Sequence, residues 1–373
     1  MLDELGKKIK KIEESIIELY LEENPRPWII GFSGGKDSTL LLQIVWYTLI
    51  RRIPKERRDR RIYVVTNDTL VENPRVVDMI NSTINLINKA STQQNIPIEA
   101  HKTQPELGDT FWVKLIGRGY GAPHRVFRWC TDRLKIKPAT KFIKEKIKAN
   151  GEVIILLGVR NDESRSRKKS IDKFKKEDTN LNKHSTLKNA CIFTPIVELT
   201  TEEVWQYLTS VNPPWSGTNL NLVTLYRNAA GGECPTVIDK STASCGKSRF
   251  GCWVCTVVNK DKSMEGLIEN GEEWLECLLD VREFLLNTLK DGAKYRYDFR
   301  RNGTKKEGTF GAYLPETRYE ILKRVLIAER KVKEHDPNLI LISKQEIEKI
   351  QELWIKDNII QYTVYDCIAE SLK

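Results

Sequence analysis

Trp28-Ile29-Ile30-Gly31-Phe32-Ser33-Gly34-Gly35-Lys36-Asp37-Ser38 is the stretch from which the fold is read. Its first five residues form a short apolar run that leads into glycines, the pattern of a buried strand. Ser38–Leu49 then reads as a helix. A strand that turns through glycines into a helix points backbone N–H groups, and the positive helix end, at whatever occupies the turn, so the turn selects an anion. Gly34 and Gly35 let that anion approach the backbone closely, Ser33 and Ser38 add hydroxyl donors, and Lys36 adds a point charge. The order differs from the G-x-x-x-x-G-K-[ST] phosphate loop.

Outward from this turn, strands and helices alternate. Residues 2–23 read as an amphipathic helix, 62–66 as a strand, 73–90 as a helix, 96–100 as a strand, 140–149 as a helix and 153–159 as a strongly apolar strand. Such alternation predicts an α/β fold: a mostly parallel twisted sheet with helices on both faces. Thr200 and Glu203 form a capping-box pattern that opens a further helix. Pro, Gly and Asn crowd residues 213–232, which read as a loop, and from about Glu272 the chain reads helical, interrupted at 290–311. The expected division is an N-terminal helix (1–24), a nucleotide domain (25–212) with a basic mobile loop (161–190), a cysteine-rich metal-binding subdomain (213–271) and a helical C-terminal region (272–373).

Composition bounds the rest. The chain has 373 residues with 61 Lys/Arg against 51 Asp/Glu, a net charge of +10, which favours a polyanionic partner. The longest apolar run, near Leu40–Ile50, is broken by Gln43 and falls short of the ~20 residues needed to span a bilayer. The N-terminus has no signal-peptide pattern, so the expectation is a cytoplasmic protein without a membrane partner. In a reducing compartment the eight cysteines favour metal or sulfur chemistry over disulfides. Cys234, Cys245, Cys252 and Cys255 follow the spacing C-x10-C-x6-C-x2-C. Four clustered thiolates suit tetrahedral zinc or an iron–sulfur cluster, and spacing alone does not choose between them. If all four bind one 4Fe-4S cluster, no iron is left open for a sulfide, and sulfur must travel on another thiol. Cys130, in Arg128-Trp129-Cys130-Thr131-Asp132-Arg133 and downstream of His124 and Arg125, is the expected carrier, its thiolate favoured by nearby cations. Cys191, Cys277 and Cys367 read as core residues.

Ser33–Ser38 directly after an apolar strand resembles the PP-loop of the ATP pyrophosphatases, whose fold is that of the adenine nucleotide alpha hydrolases. Gly158-Val159-Arg160 with Glu163, Ser164 and Arg167 resembles the element that lies against the nucleotide in the phosphoadenylylsulfate reductase branch. Adding Asn67–Pro74, the Trp129-Cys130-Thr131 element and Gly251-Cys252-Trp253-Val254-Cys255, residues 1–330 look like the sulfurtransferase of bacterial DNA phosphorothioation systems, of Dnd or Ssp type.

The resemblance implies an ATP pyrophosphatase that adenylates a non-bridging oxygen of the DNA backbone and replaces it with sulfur. It implies ATP and Mg²⁺ as cofactors, favours 4Fe-4S over zinc, and implies DNA, a cysteine desulfurase and other proteins of the system as partners. Lys36, Asp37, Cys130 and Arg160 are the catalytic candidates. Ser33 to Ser38, Asp68, Arg160, Glu163, Ser164 and Arg167 are the nucleotide contacts, with Asp68 or Glu72 directed at ribose or Mg²⁺. Arg165, Arg167, Lys168, Lys169, Arg296, Arg300 and Arg301 are the DNA-contact candidates, drawn from basic or aromatic-interleaved segments, and Arg51–Arg61 is a further basic stretch. The competing readings are a phosphoadenylylsulfate reductase, a tRNA thiolation enzyme and a non-catalytic DNA-binding regulator. Asp366-Cys367-Ile368-Ala369-Glu370 lacks the Glu-Cys-Gly-hydrophobic-His tail expected of the reductase.

Overall fold

The computed structural model describes residues 2–163, 181–229, 251–300, 303–305 and 308–372. It divides into two compact units, and the chain passes between them several times: unit 1 is Met1–Asn67, Arg75–Thr103 and Ala139–Arg249, and unit 2 is Asp68–Pro74, Gln104–Pro138 and Phe250–Lys373.

Unit 1 holds a six-stranded sheet of order β3-β2-β1-β4-β6-β5, formed by β1 (Trp28–Gly31), β2 (Ile62–Asn67), β3 (Ile98–Thr103), β4 (Val153–Leu156), β5 (Leu181–Lys183) and β6 (Ala190–Phe193). All neighbours run parallel except β5 and β6. Side chains alternate across the sheet. Ile29, Tyr63, Val65, Val153, Ile155, Leu187 and Ala190 fill one face, covered by Phe142, Ile143 and Ile147 of α4 (Lys137–Asn150). The other face carries Trp28, whose ring meets that of Tyr20 of α1 (Leu2–Tyr20) edge-on. Against α1 lies α2 (Lys36–Arg52), which in turn packs on α5 (Thr201–Ser210). The α/β class with helices on both faces is therefore the observed one.

The strand order places β1 and β4 side by side while their chain connections leave in opposite directions. In open α/β sheets that switch point is where ligands bind, beyond the carboxyl ends of the strands. The turn Ser33–Gly35 leaves β1 there, and Gly158–Arg160 follows β4.

Three parts of this unit differ from expectation. Leu181–Lys183, read as part of the basic loop, is an edge strand, because Leu181 pairs opposite Phe193 and Leu187 beyond it is buried. Ala190–Phe193 is a strand that its basic surroundings concealed. Within 213–232, Leu220–Ala229 forms helix α6 and buries Leu222 and Tyr226, so an apolar face overrode the turn-rich composition.

Among the described residues of unit 2, the α-helices longer than two turns are α7 (Lys262–Glu269), α8 (Glu276–Lys290), α9 (Pro315–His335), α10 (Lys344–Lys356) and α11 (Val364–Ser371). Helix α9 packs on α8 and α11, and α10 packs on the turn Val113–Gly117. Buried polar side chains tie these pieces together: Trp354 Nε1 donates to Ile116 O at 3.0 Å, and Trp112 Nε1 to Leu341 O at 2.7 Å. Among the described residues, no helix is long and apolar enough to cross a membrane.

Candidate functional site

The turn after β1 is held by its own hydroxyls. Ser33 N–H donates to Ser38 Oγ at 3.2 Å, the two hydroxyl oxygens lie 3.2 Å apart, and Ser38 Oγ donates to Gly35 O at 3.0 Å. Gly34 has φ +70, the left-handed region, and a Cβ there would lie 2.9 Å from Ile80 Cγ1, so glycine is required on two counts. No side chain hydrogen-bonds to cap α2 at Gly35, and its first-turn amides keep the positive end that suits phosphate oxygens. Tyr226 of α6 overlooks this end: its hydroxyl is 3.5 Å from Lys36 N, and its ring centroid is 5.8 Å from Lys36 Nζ.

Lys36 is buried and its Nζ lies 3.0 Å from Asp37 Oδ2. The other carboxylate oxygen, Oδ1, accepts from Arg160 Nε at 2.6 Å. Arg160 is 1 % exposed, and that burial decides its role. Its other nitrogens donate to Leu199 O and to Thr201 Oγ1, both at 3.1 Å. The guanidinium thus joins the β4 exit, the first turn of α2 and the start of α5, and fixes Asp37 and through it Lys36. These bonds give Arg160 a positioning role at the turn. Gly158 brings the two loops together, since a Cβ there would lie 2.8 Å from Asp37 O. The capping box on α5 is present: Thr200 Oγ1 accepts from Glu203 N–H at 3.2 Å, and Glu203 Oε2 from Thr200 N–H at 2.8 Å.

In unit 2, Cys252 and Cys255 occupy a tight turn in which Cys255 N–H donates to Cys252 O at 3.0 Å. The turn is anchored on several sides. Trp253 is buried and its N–H donates to Val71 O at 3.0 Å, while Thr256 Oγ1 donates to Pro123 O at 2.5 Å. Arg282 of α8, fully buried, donates from Nε to Cys255 O at 2.9 Å and from Nη2 to Val258 O at 2.6 Å. Cys252 Sγ lies 3.3 Å from Thr69 Oγ1 and 3.7 Å from Glu72 Oε1, and Glu72 pairs with Lys135 Nζ at 3.1 Å. Burial pushes the Cys252 thiol well above its ordinary range, reinforced by the Glu72 carboxylate, while Lys135 pulls it back. Glu72, expected at ribose or Mg²⁺, is thus engaged beside Cys252. Asp68 accepts Leu70 N–H at 2.9 Å and Gln104 Nε2 at 3.0 Å, an Asx-type turn.

Cys130 departs from expectation. Its thiol is raised rather than lowered, first by burial and then by the negative charge that Cys255 carries when ionised, with Thr131 hydrogen bonds opposing. Arg125 and Arg128 point outward and do not offset the burial. Cys130 therefore sits in the electrostatic neighbourhood of the C-x2-C pair. Of the cysteines read as core, Cys277 and Cys367 are buried, and Cys191 on β6 is half-buried.

Among the DNA-contact candidates, Arg296 is a half-buried brace that donates to Gly311 O at 2.8 Å and Phe310 O at 2.9 Å, whereas Arg300 is exposed. In the Arg51–Arg61 stretch, Arg58 donates to Ile53 O and Ile50 O at the end of α2, and Arg60 is buried against Glu22 O. Ser164, Arg165, Arg167, Lys168, Lys169, Arg301, Cys234 and Cys245, and the Glu163 side chain, lie outside the described residues. Among the described residues no cluster of three His, Cys, Asp or Glu is arranged to hold a metal ion. Sequence reasoning missed Tyr226, Thr69, Lys135 and Arg282, since each reaches its partner across a long separation in the chain.

Residues 27–258 match the phosphoadenosine phosphosulfate reductase domain. The chain is similar to an uncharacterized protein of Methanocaldococcus jannaschii, 28% identical over 197 residues, which are 52% of this chain and 34% of the relative. It is also similar to an uncharacterized nin region protein of Escherichia phage lambda, 25% identical over 150 residues, 36% of this chain and 48% of the relative. The chain thus spans about a third and about half of the lengths of these relatives. Among solved structures, the U34-tRNA thiolase NcsA from Methanococcus maripaludis with its 4Fe-4S cluster aligns at 15% identity and a TM-score of 0.36, over 76% of this chain and 80% of that one.

Proposed function

The chain belongs to the phosphoadenosine phosphosulfate reductase domain family, and we propose that within it the protein is an ATP-dependent sulfurtransferase acting on the DNA backbone. The observation that carries this reading is the Ser33–Ser38 turn at the switch point, with the N-terminal end of α2 and the Lys36–Asp37–Arg160 chain behind it.

In the first step a non-bridging oxygen of a DNA phosphodiester attacks the α-phosphorus of ATP, and the bond to the β-phosphate oxygen breaks. Pyrophosphate leaves with that electron pair, its charge stabilised by the amides of the turn and by Lys36. Mg²⁺ shares this charge when bound. The DNA phosphorus now carries AMP as a leaving group. In the second step hydrosulfide attacks that phosphorus, AMP departs with the original oxygen, and a proton goes to solvent. No electrons change hands. A persulfide on Cys130, its terminal sulfur transferred from a cysteine desulfurase, is the protein-borne alternative donor, and that sulfur is two electrons more oxidised than hydrosulfide. After its terminal sulfur bonds to phosphorus, a second thiol must cleave the S–S bond, leaving a phosphorothioate and a disulfide.

Cys234, Cys245, Cys252 and Cys255 are the proposed ligands of a 4Fe-4S cluster, with zinc as the alternative. The described half of that set fits: two thiols on one turn, backbone-anchored by Arg282 and Trp253. When bound, the cluster supplies a rigid, redox-capable centre.

The phosphoadenylylsulfate reductase alternative loses support from Cys367. It is fully buried in α11, its thiol pushed up to about 12 first by burial, and it is no candidate for an exposed reactive tail.

The test is pyrophosphate release from ATP. Release should rise on addition of DNA and fall about 10²–10³-fold in Lys36→Ala. Release that is indifferent to DNA, or unaltered in Lys36→Ala, contradicts the reading.

A further inference from the structure

Unit 2 contains a cleft of about 770 Å³ that the chemistry above leaves unused. One wall is the tight turn His124–Phe127, closed by His124 N–H to Phe127 O at 3.2 Å and Phe127 N–H to His124 O at 2.9 Å. The other is a hairpin in which Arg296 pairs with Tyr313, Tyr297 N–H donates to Ala312 O, and Arg300 N–H donates to Thr304 O. The walls contribute Arg118, His124, Arg296 and Arg300, and no carboxylate lines the cleft among the described residues. Phe127 and Val126 are 43 % and 92 % exposed, an apolar surface without intramolecular cover. Arg300 is exposed at the rim, while Arg296 donates to the hairpin backbone, so Arg300 is the cation assigned to an incoming anion.

A cationic cleft with an exposed ring suits a ligand that pairs a flat base with a phosphate. The volume falls within the roughly 300–1,000 Å³ of small-ligand clefts, enough for a nucleotide and far too small for a duplex. We propose that this cleft seats one unstacked nucleotide of single-stranded DNA, its base on Phe127 and its phosphate on Arg300. The proposal rests on the DNA-modifying reading and adds to it the strand state of the substrate at this point.

The experiment uses the full-length protein and fluorescence anisotropy of a labelled single-stranded oligodeoxynucleotide. Phe127→Ala is expected to weaken binding about tenfold with an unchanged salt slope, and Phe127→Tyr to retain it. Arg300→Ala should weaken binding and lower the salt slope by about one unit. The thermal unfolding midpoint of each variant, measured in parallel, should match wild type because both side chains are exposed, which separates a binding defect from misfolding. Binding by Phe127→Ala within twofold of wild type overturns the proposal. So does tighter binding of RNA of the same sequence, or displacement by a free deoxynucleoside monophosphate as effective as the oligonucleotide. If wild type itself binds no DNA and releases pyrophosphate regardless of it, the DNA-modifying reading fails. If wild type modifies DNA and Phe127→Ala does so equally, the cleft alone fails.

Discussion

Arg160 shows how a residue can be found in the sequence while its packing stays hidden. Its position after β4 was legible from the Gly158-Val159-Arg160 pattern. Its burial was not, because burial depends on Leu199 and Thr201, which reach it from a later helix. A guanidinium removed from water is stable only when its donors are paired, and losing it would leave the Asp37 carboxylate with Lys36 alone. Arg160→Met should therefore cost about 3–5 kcal/mol of stability, measured by denaturant unfolding. Arg160→Lys should recover little, since an ammonium cannot reproduce the planar fork that meets three acceptors. An unfolding midpoint equal to wild type in Arg160→Met would show that the chain of contacts is incidental. Cys130 teaches the converse. Neighbouring arginines in the sequence suggested a thiolate, but their side chains point outward and burial dominates.

At the scale of elements, Asp109 joins two turns of unit 2. Its Oδ1 lies 2.7 Å from Lys114 Nζ, in the turn that α10 covers, and its other oxygen pairs with Lys137 at the start of α4. Burial alone would push this carboxyl up, but the two ammonium groups hold it below its ordinary value. A depressed folded-state pKa stabilises the fold above the unfolded carboxylate value, and that contribution is lost as pH falls through the folded value. Asp109→Asn should thus lower stability by about 1–3 kcal/mol at neutral pH. Its deficit against wild type should shrink as pH drops below the ordinary carboxylate range. A deficit independent of pH, in melts recorded across the acid range, would assign Asp109 a purely steric role.

The elements that sequence reading reached are those with their own periodicity: α1 to α4, β1 to β4, and the capping box of α5. It missed β5, β6 and α6, where neighbours rather than local pattern decide. Leu181 becomes a strand residue only because Phe193 lies opposite it, and Tyr226 becomes part of the site only because α6 returns to the end of α2.

At the scale of the whole molecule, the residues proposed for the two steps lie in two units of one chain. Unit 1 carries the phosphate-directed turn, and unit 2 carries Cys130, the C-x2-C turn and the cationic cleft. In the proposed reaction ATP opens the phosphodiester oxygen to replacement and sulfur takes its place. Mass spectrometry of nuclease-digested DNA, after incubation with the full-length protein, ATP, Mg²⁺ and hydrosulfide, tests this directly. Phosphorothioate-linked dinucleotides should accumulate with wild type and be absent with Lys36→Ala. Pyrophosphate release by wild type with no sulfur in the DNA backbone would contradict the account.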